Sequence, residues 1–273
     1  SRNRRLHGRG ALGTVRAMAQ IVCLIADPAR APLGGTTVAA LERALGAPAR
    51  WLAPEEACEI VVEDPDPDRI RARLETTLPA EAPYDVVVLP AEERRKRLLV
   101  SDMDSTMITV ECIDELADYL GVKPEVSAIT RRAMDGELDF VAALKARVAL
   151  LEGLPVSVFE EVFRERVRLM PGARTLVQTM RSWGACTALV SGGFVPFVER
   201  VRDAVGFDLA QANRLESLDG RLTGRLLGPI RSPKSKLAVL RQLTRVLRLP
   251  RAATLAVGDG ANDLPMLRAA GLG

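Results

Sequence analysis

The alternation of strand-like and helix-like segments from Leu98 onward is the feature that most constrains the fold of this chain. Short apolar runs alternate with segments of helical periodicity in the order 98–100, 171–183, 186–190, 194–205, 233–248 and 254–257. Strands that are joined by helices pair in parallel, and the helices cover both faces of the sheet. The pattern therefore predicts an α/β fold with a doubly wound parallel sheet, to which a short hairpin near 208–223 is added.

An all-helical stretch interrupts this alternation after its first strand. Between Thr109 and Val167 only helical signals occur, and Phe140, Leu144 and Val148 form one apolar stripe within them. We therefore predict a helical cap at about 109–167, inserted into a domain that spans 98–273.

The residues before Leu98 predict a separate, smaller domain. Residues 18–90 show the order strand, helix, two strands, helix and strand, which is typical of a small α+β sandwich. The charged run 91–97 predicts a linker. Residues 1–17 contain five arginines and no acid. They predict a disordered basic tail or, alternatively, a targeting peptide.

Charge and composition argue against two function classes. Five of the 38 basic residues lie in the basic tail, so the remainder has a slight acidic excess and predicts no nucleic-acid-binding face. No apolar run approaches the ~20 residues that a membrane helix needs. The four cysteines form no CxxC pair, as expected for free thiols in a reducing cytoplasm. We accordingly expect a cytoplasmic protein that binds neither nucleic acid nor membrane.

The single histidine limits the chemistry that this chain can perform. His7 lies in the basic tail. Mechanisms of the Ser-His-Asp or Cys-His type need an imidazole beside the nucleophile. Catalysis in the predicted domains must therefore rest on carboxylates, hydroxyls, lysine or a metal ion.

Paired carboxylates follow two of the predicted strands. Asp102 and Asp104 lie in DMDST after the first strand of the α/β domain, and Asp259 and Asp263 lie in GDGAND after its last. Because parallel strands bring their carboxyl ends to one sheet edge, the four acids should gather there and repel one another without a cation. Oxygen ligands favour a hard ion such as Mg²⁺. Taken alone, DMDST is equally compatible with an acid-rich turn, and GDGAND alone is a weak signal that a turn followed by a helix N-cap at Asn262 or Asp263 would also explain.

A hydroxyl, backbone N–H groups and a lysine offer a means of holding phosphate nearby. Ser191 and Gly192 lie in SGG after a strand, where a strand-to-helix turn can present N–H groups to an anion. Lys234 and Lys236 both lie at the start of helix 233–248 and qualify as point charges on phosphate oxygens. In isolation, a glycine turn and a surface lysine are the commoner explanations.

The order of these motifs resembles the four motifs of phosphatases in the haloacid dehalogenase superfamily. Dehalogenases of that superfamily lack the second acid of the first motif, here Asp104, whereas phosphatases and phosphomutases carry it. The segments most similar to the phosphoserine phosphatase family are DMDSTMITVECIDELAD, ITRRAMDGELDFVAALKARVALL, LVSGGF, ANRLE, DGRLTG and VGDGANDLPMLRAAGLG. The resemblance covers Leu98 to Gly273, and the N-terminal domain is similar to the ACT-like domain that precedes many bacterial members.

This resemblance implies Mg²⁺-dependent hydrolysis of O-phospho-L-serine to L-serine and phosphate, the last step of serine biosynthesis. Asp102 would form an aspartyl-phosphate, and Asp104 would act as general acid and then as general base. The implied metal ligands are the Asp102 carboxylate, the Asp104 backbone carbonyl and Asp259. The residues implied to surround the metal and the phosphate are Asp263, Asn262 and Thr106.

By the same resemblance, Ser191, Gly192 and Lys236 would bind the phosphoryl group. Lys236 fits the family's spacing to Asp259 better than Lys234 does. The choice between the two lysines therefore depends on the resemblance.

The helical cap is implied to select the substrate. Glu111 would pair with the substrate ammonium, and Arg147 would bind its carboxylate with two hydrogen bonds. Met134 and Phe140 would wall the pocket and exclude water. Composition alone would assign these four residues to ordinary helix surface and core.

The family continues into a further strand and helices beyond the position of Gly273. Since that strand pairs beside strand 254–257, we expect the latter to form a sheet edge here. Two alternatives stay open: a phosphatase or phosphomutase for another small phosphate ester, or an inactive form whose N-terminal domain binds an amino acid. A homodimer through the N-terminal domain is also expected to be possible.

Overall fold

Two units, each with its own sheet, make up the part of the chain that the computed structural model describes, residues 19–134 and 137–273. The division falls between Arg94 and Arg95, inside the segment 91–97. The predicted basic tail, 1–17, lies outside the described residues.

A four-stranded sheet and two helices form the N-terminal unit. Its elements are, in chain order, β1 (Gln20–Ala26), α1 (Gly35–Leu45), β2 (Ala49–Ala53), β3 (Ala57–Val62), α2 (Pro67–Thr77) and β4 (Tyr84–Pro90). The strand order is β2-β3-β1-β4, and neighbouring strands are antiparallel. This is the split βαβ topology of ferredoxin-like domains. The ACT-like identity of the unit stays a prediction.

The apolar spacing of the sequence explains how this unit packs. The buried residues on the inner sides of α1 and α2 are Val38, Leu41, Leu45, Ile70 and Leu74. They join one core with alternate residues of β1 and β3, such as Val22 and Ile60. Gly46 ends α1 at φ 71°, a left-handed conformation that glycine adopts without a Cβ clash.

A five-stranded, mostly parallel sheet forms the centre of the C-terminal unit. Its strands are β5 (Leu98–Ser101), β6 (Cys186–Phe194), β7 (Leu209–Leu218), β8 (Arg221–Leu227) and β9 (Thr254–Val257). Their order is β8-β7-β6-β5-β9; β7 and β8 pair antiparallel, and the other neighbours pair in parallel. The predicted α/β fold with a parallel sheet is confirmed. β6 extends to Phe194 and so includes the SGG segment, whereas the sequence predicted a strand that ends at residue 190.

Helices cover this sheet, and the first five of them lie between β5 and β6 in the sequence. They are α3 (Cys112–Leu120), α4 (Lys123–Met134), α5 (Phe140–Ala149), α6 (Val158–Arg166), α7 (Ala173–Ser182), α8 (Val195–Val205), α9 (Pro233–Val246) and α10 (Leu264–Ala269), with a 3-10 turn at Arg251–Ala253. An antiparallel bridge between Ile108 and Leu169 closes the base of the helical cap, α3 to α6. Within the described ranges, no helix has both the length and the apolar character needed to cross a membrane.

The strand β5, which lies between β6 and β9, separates two cores. Leu99 packs into the core that also holds residues of α7 and α8, whereas Leu98 and Val100 pack into the core that holds residues of α9 and α10. Because successive side chains of a strand point to opposite faces, Leu98, Leu99 and Val100 make both sides of β5 apolar, and both sides are covered.

β9 stands at one end of the strand order in the part of the chain that the structure describes. Leu272 nevertheless forms a parallel bridge with Leu255. The Ala256 N–H donates to the Leu272 carbonyl at 2.9 Å, and the Leu272 N–H donates to the Thr254 carbonyl at 3.0 Å. Part of the outer side of β9 is therefore paired.

Candidate active site

The first acid of the DMDST segment lies directly at the end of β5. The Asp102 N–H donates to the Val257 carbonyl at 3.0 Å, so the pairing with β9 continues one residue past the strand. Asp102 is 6% exposed, and its Oδ1 accepts a hydrogen bond from the Met103 N–H at 2.8 Å. Burial raises the pKa of this carboxyl group, and the charge of Lys236 opposes that shift.

Lys236 forms ion pairs with one acid of each acidic motif, Asp102 and Asp263. Its Nζ lies 2.7 Å from Asp102 Oδ2 and 2.6 Å from Asp263 Oδ1, and its side chain is 3% exposed. The helix that carries it, α9, begins with a capping box in which Ser232 and Ser235 exchange hydrogen bonds. Lys234, two residues earlier on α9, is exposed. The structure therefore brings Lys236, and not Lys234, to the acids.

Three carboxylates form a cluster at the carboxyl edge of the sheet. One oxygen atom from each of Asp102, Asp259 and Asp263 lies within 4.8 Å of the others. Thr106 Oγ1 donates to Asp259 Oδ1 at 2.8 Å. The donor set contains only oxygen, which suits a hard divalent cation. Asp263, predicted to lie around the metal, is thus itself a member of the carboxylate cluster.

Asp104 lies between the glycine turn of β6 and the start of the helical cap. A Cβ atom at Gly193 would lie 2.9 Å from Asp104 Oδ2, so a larger residue there would force the carboxyl group or the turn to shift. The Cys112 N–H donates to Asp104 Oδ1 at 3.4 Å. Burial, followed by the charge of Glu111, raises the pKa of Asp104 to about 8. These surroundings favour the protonated form, which can donate a proton.

The SGG segment contacts both the acidic motif and the cap. Ser191 is 1% exposed, and its Oγ accepts a hydrogen bond from the Gly193 N–H at 2.8 Å. A Cβ atom at Gly192 would lie 3.3 Å from Cζ of Phe140, so that ring lies against the turn. The Phe140 ring of α5 therefore lies against the SGG segment, and its role as a wall of the substrate pocket stays a prediction.

Glu111 is the N-cap of α3 and accepts a hydrogen bond from Ser105. Ser105 was not predicted from the sequence as a site residue. Ser105 Oγ donates to Glu111 Oε1 at 2.6 Å, and Ser105 adopts φ 53°, a left-handed conformation that is uncommon outside glycine. Burial raises the pKa of Glu111, and the charge of Asp259 adds to the effect. The only sequence signal for Ser105 was a hydroxyl within an acid-rich turn.

Arg147 lies half-buried on α5, inside the helical cap. Its Nε donates to the Ala143 carbonyl and its Nη1 to Thr130 Oγ1, both at 3.4 Å. Burial lowers the pKa of Arg147, and the charges of Asp114 and Glu111 oppose that shift. The cap therefore presents a cation and a carboxylate that act on each other electrostatically.

Asn262 and Met134 were also predicted to belong to the site. The Asn262 amide oxygen lies against Gly260, within the turn that precedes α10. Met134 ends α4, and its side chain lies outside the described part of the chain. The roles predicted for both stay predictions.

Comparison with known proteins shows which family this chain is similar to. The haloacid dehalogenase-like hydrolase family matches residues 99–268. A phosphoserine phosphatase of Streptomyces coelicolor is 45% identical over 81% of this chain, and one of a Polaromonas species is 47% identical over 64% of it. The crystal structure of a probable phosphoserine phosphatase from Vibrio cholerae superposes with a TM-score of 0.72 and 31% identity, over 94% of this chain and 78% of that one.

The relatives differ in how much of their length this chain spans. The match covers 54% of the Streptomyces protein and 77% of the Polaromonas protein. The chain thus spans about half of the first relative and most of the second.

Proposed function

Because this chain belongs to the phosphoserine phosphatase family of the haloacid dehalogenase-like hydrolases, we propose that it hydrolyses O-phospho-L-serine to L-serine and phosphate. The observation that carries the proposal is the placement of Lys236 Nζ 2.7 Å from Asp102 Oδ2, at the edge where the SGG turn also lies. That arrangement supports a carboxylate nucleophile beside a fixed positive charge.

We assign the oxygen-only cluster to Mg²⁺. The residues that would hold the ion are Asp102, Asp259 and the backbone carbonyl of Asp104, with Asp263 kept beside them by its hydrogen bond from Lys236 at 2.6 Å. When bound, Mg²⁺ supplies positive charge that offsets the charge of the phosphoryl group.

The first half of the reaction transfers the phosphoryl group to the protein. A carboxylate oxygen of Asp102 bonds to phosphorus while the bond between phosphorus and the serine oxygen breaks. Asp104 donates its proton to that leaving oxygen, which gives L-serine. Lys236 lies beside the nucleophile and offsets the negative charge that collects there.

The second half of the reaction regenerates the free carboxylate of Asp102. Asp104, now a carboxylate, takes a proton from a water molecule whose oxygen bonds to phosphorus. The bond between phosphorus and Asp102 breaks, and phosphate leaves. The Phe140 ring, which lies against Gly192, limits the access of other water to this site.

Substrate selection is proposed to depend on Glu111 and Arg147, and it yields a prediction. Since a hydrogen bond to a charged group contributes about 1.5–3 kcal/mol, Arg147→Met should raise KM for O-phospho-L-serine roughly 10–100-fold. The variant should hydrolyse p-nitrophenyl phosphate normally, because that ester has no carboxylate to bind. Lys145→Met, an exposed position on the same helix, is the matched control and should change neither value. Equal losses on both esters would contradict the assignment.

The proposed reaction is tested by measuring phosphate release from O-phospho-L-serine with Mg²⁺ and after its removal by EDTA. We expect release with Mg²⁺, loss of release in EDTA, and recovery when Mg²⁺ is added back. O-phospho-L-threonine and glucose 6-phosphate serve as comparison esters. If phosphate were released faster from one of these esters, that ester and not phosphoserine would be the preferred substrate. If no ester released phosphate, the protein would be an inactive form.

We also propose a cytoplasmic location, because the four cysteines of the chain are free thiols. A homodimer through the N-terminal unit stays a prediction from the sequence, which sedimentation velocity can test.

A further inference from the structure

A two-residue bulge in β6 creates the SGG turn. Val190 pairs with Gln211 of β7, and the next registered pair joins Phe194 to Asn213. The chain therefore advances by four residues on β6, from Val190 to Phe194, where it advances by only two on β7, from Gln211 to Asn213. Ser191, Gly192 and Gly193 have no registered partner in the strands that the structure describes. A bulge of this kind releases backbone groups from the ladder, and a released carbonyl group needs another donor where it is shielded from water.

Asn213 supplies that donor. Its Nδ2 donates to the Gly192 carbonyl at 2.7 Å, and its Oδ1 accepts a hydrogen bond from the Arg231 N–H at 2.7 Å. Asn213 is 2% exposed. A carbonyl oxygen can only accept and an N–H can only donate, so the two partners define the orientation of the amide. An aspartate would offer two acceptors when ionised, and a leucine would offer neither group.

The second partner connects Asn213 to the lysine helix. Arg231 immediately precedes Ser232, the N-cap of α9, and Lys236 lies in the first turns of that helix. One buried side chain thus links the turn that holds Ser191 and Gly192 to the segment that positions Lys236.

The turn has little room to adapt if this link is lost. A Cβ atom at Gly192 would be 3.3 Å from the Phe140 ring, and one at Gly193 would be 2.9 Å from Asp104 Oδ2. A shift of the turn is therefore passed on to the cap wall or to the general acid. Misplacement of about 1 Å at a reacting centre can cost on the order of 100-fold in rate.

We propose that Asn213 is a positioning residue that sets the SGG turn relative to Lys236, so that both bind the same phosphoryl group. The inference rests on the proposed phosphatase function. Asn213 is proposed to touch neither the substrate nor Asp102 and to act through the Gly192 carbonyl and the Arg231 N–H.

Asn213→Asp tests the link with almost no change in shape. The substitution keeps an acceptor for Arg231 and places a second oxygen against the Gly192 carbonyl. We expect kcat/KM for O-phospho-L-serine to fall roughly 10–100-fold, with weaker binding of inorganic phosphate in the presence of Mg²⁺. Hydrogen exchange of the backbone amides in 190–194 and 231–236 should become faster, while β5 exchanges as before. Asn213→Ser, which is too short to reach both partners, should change the same quantities if the aspartate variant does not fold.

Thr187→Val is the matched control. Thr187 is fully buried on β6, the strand that carries the SGG segment, and its hydroxyl donates to Asp208 Oδ2 at 2.9 Å and accepts from the Asp208 N–H at 3.1 Å. Its loss should lower Tm but keep kcat/KM within about 2-fold, since it lies away from the acids. If folded Asn213→Asp kept wild-type kcat/KM and phosphate affinity, Asn213 would be merely structural and the inference would be overturned.

Failure of the proposed function would look different. In that case the wild-type protein would release no phosphate from O-phospho-L-serine. Hydrogen exchange would then decide the inference. Faster exchange in 190–194 and 231–236 for Asn213→Asp, but not for Thr187→Val, supports the link, and unchanged exchange there overturns it.

Discussion

Asp102→Asn is expected to lower kcat for O-phospho-L-serine by at least about 10⁴-fold, because an amide is a poor nucleophile toward phosphorus. The fold should persist. The asparagine can still accept the Met103 hydrogen bond of 2.8 Å, and Lys236 keeps its 2.6 Å partner Asp263. Removing a carboxylate also relieves its repulsion with Asp263, which offsets part of the lost ion pair. We expect the free energy of unfolding to change by no more than about 1–2 kcal/mol.

Asp208→Asn provides the matched control for this variant. Asp208 accepts hydrogen bonds from the backbone and the hydroxyl of Thr187, both at 2.9 Å, and forms an ion pair with Arg181 at 2.8 Å. The control should therefore lose stability while keeping its turnover. Steady-state phosphate release and thermal unfolding of both variants separate the two effects. Retention of more than roughly a tenth of wild-type kcat by Asp102→Asn would remove Asp102 from the nucleophile role.

Lys236→Met should have the largest effect on stability. The substitution preserves the length of the side chain but leaves Asp102 and Asp263, with side chains 8% and 0% exposed, facing each other without a cation between them. Removing one partner of a buried ion pair costs about 3–5 kcal/mol, and we expect a loss of that size in EDTA. The loss should be smaller with Mg²⁺, because the proposed ion would be held by Asp102 beside Asp263 and would offset part of their repulsion. Turnover should fall as well, since the phosphoryl group loses a fixed positive charge.

Lys234→Met is the natural comparison because Lys234 lies two residues earlier on the same helix and is exposed. Its loss should change the free energy of unfolding by no more than about 0.5 kcal/mol and leave turnover intact. Chemical denaturation of both variants with Mg²⁺ and with EDTA makes the comparison. Equal losses for the two lysines, or an equal loss for Lys236→Met in both conditions, would contradict the role assigned to the buried lysine.

The regular elements of this protein could largely be predicted from its sequence. The strand at 254–257 and the buried side of α1 follow from local apolar spacing, and the structure has them at those positions. The end of β6 could not be predicted in this way. Ser191, Gly192 and Gly193 have turn-like composition, yet they continue the strand as a bulge, because the adjacent β7 offers Asn213 to satisfy the Gly192 carbonyl.

In the candidate site, too, some residues could be predicted from the sequence and others could not. Motif order and family resemblance indicated Asp102, Asp104 and Asp259, since an apolar strand that runs into acids is visible in the sequence. Ser105 was missed, because its hydrogen bond to Glu111 depends on a left-handed backbone conformation that serine seldom adopts.

The sequence by itself determined the fold class and the edge of the sheet at which the acids meet, because both follow from local periodicity and from where each strand ends. Only the tertiary structure decided which groups touch. Lys236 reaches Asp263 across 27 positions, and Thr106 reaches Asp259 across 153. Contacts of that range depend on the path of the chain and on which side chains the packing buries, and local periodicity describes neither. The preference for Lys236 over Lys234 came from the family's spacing and not from the residues alone.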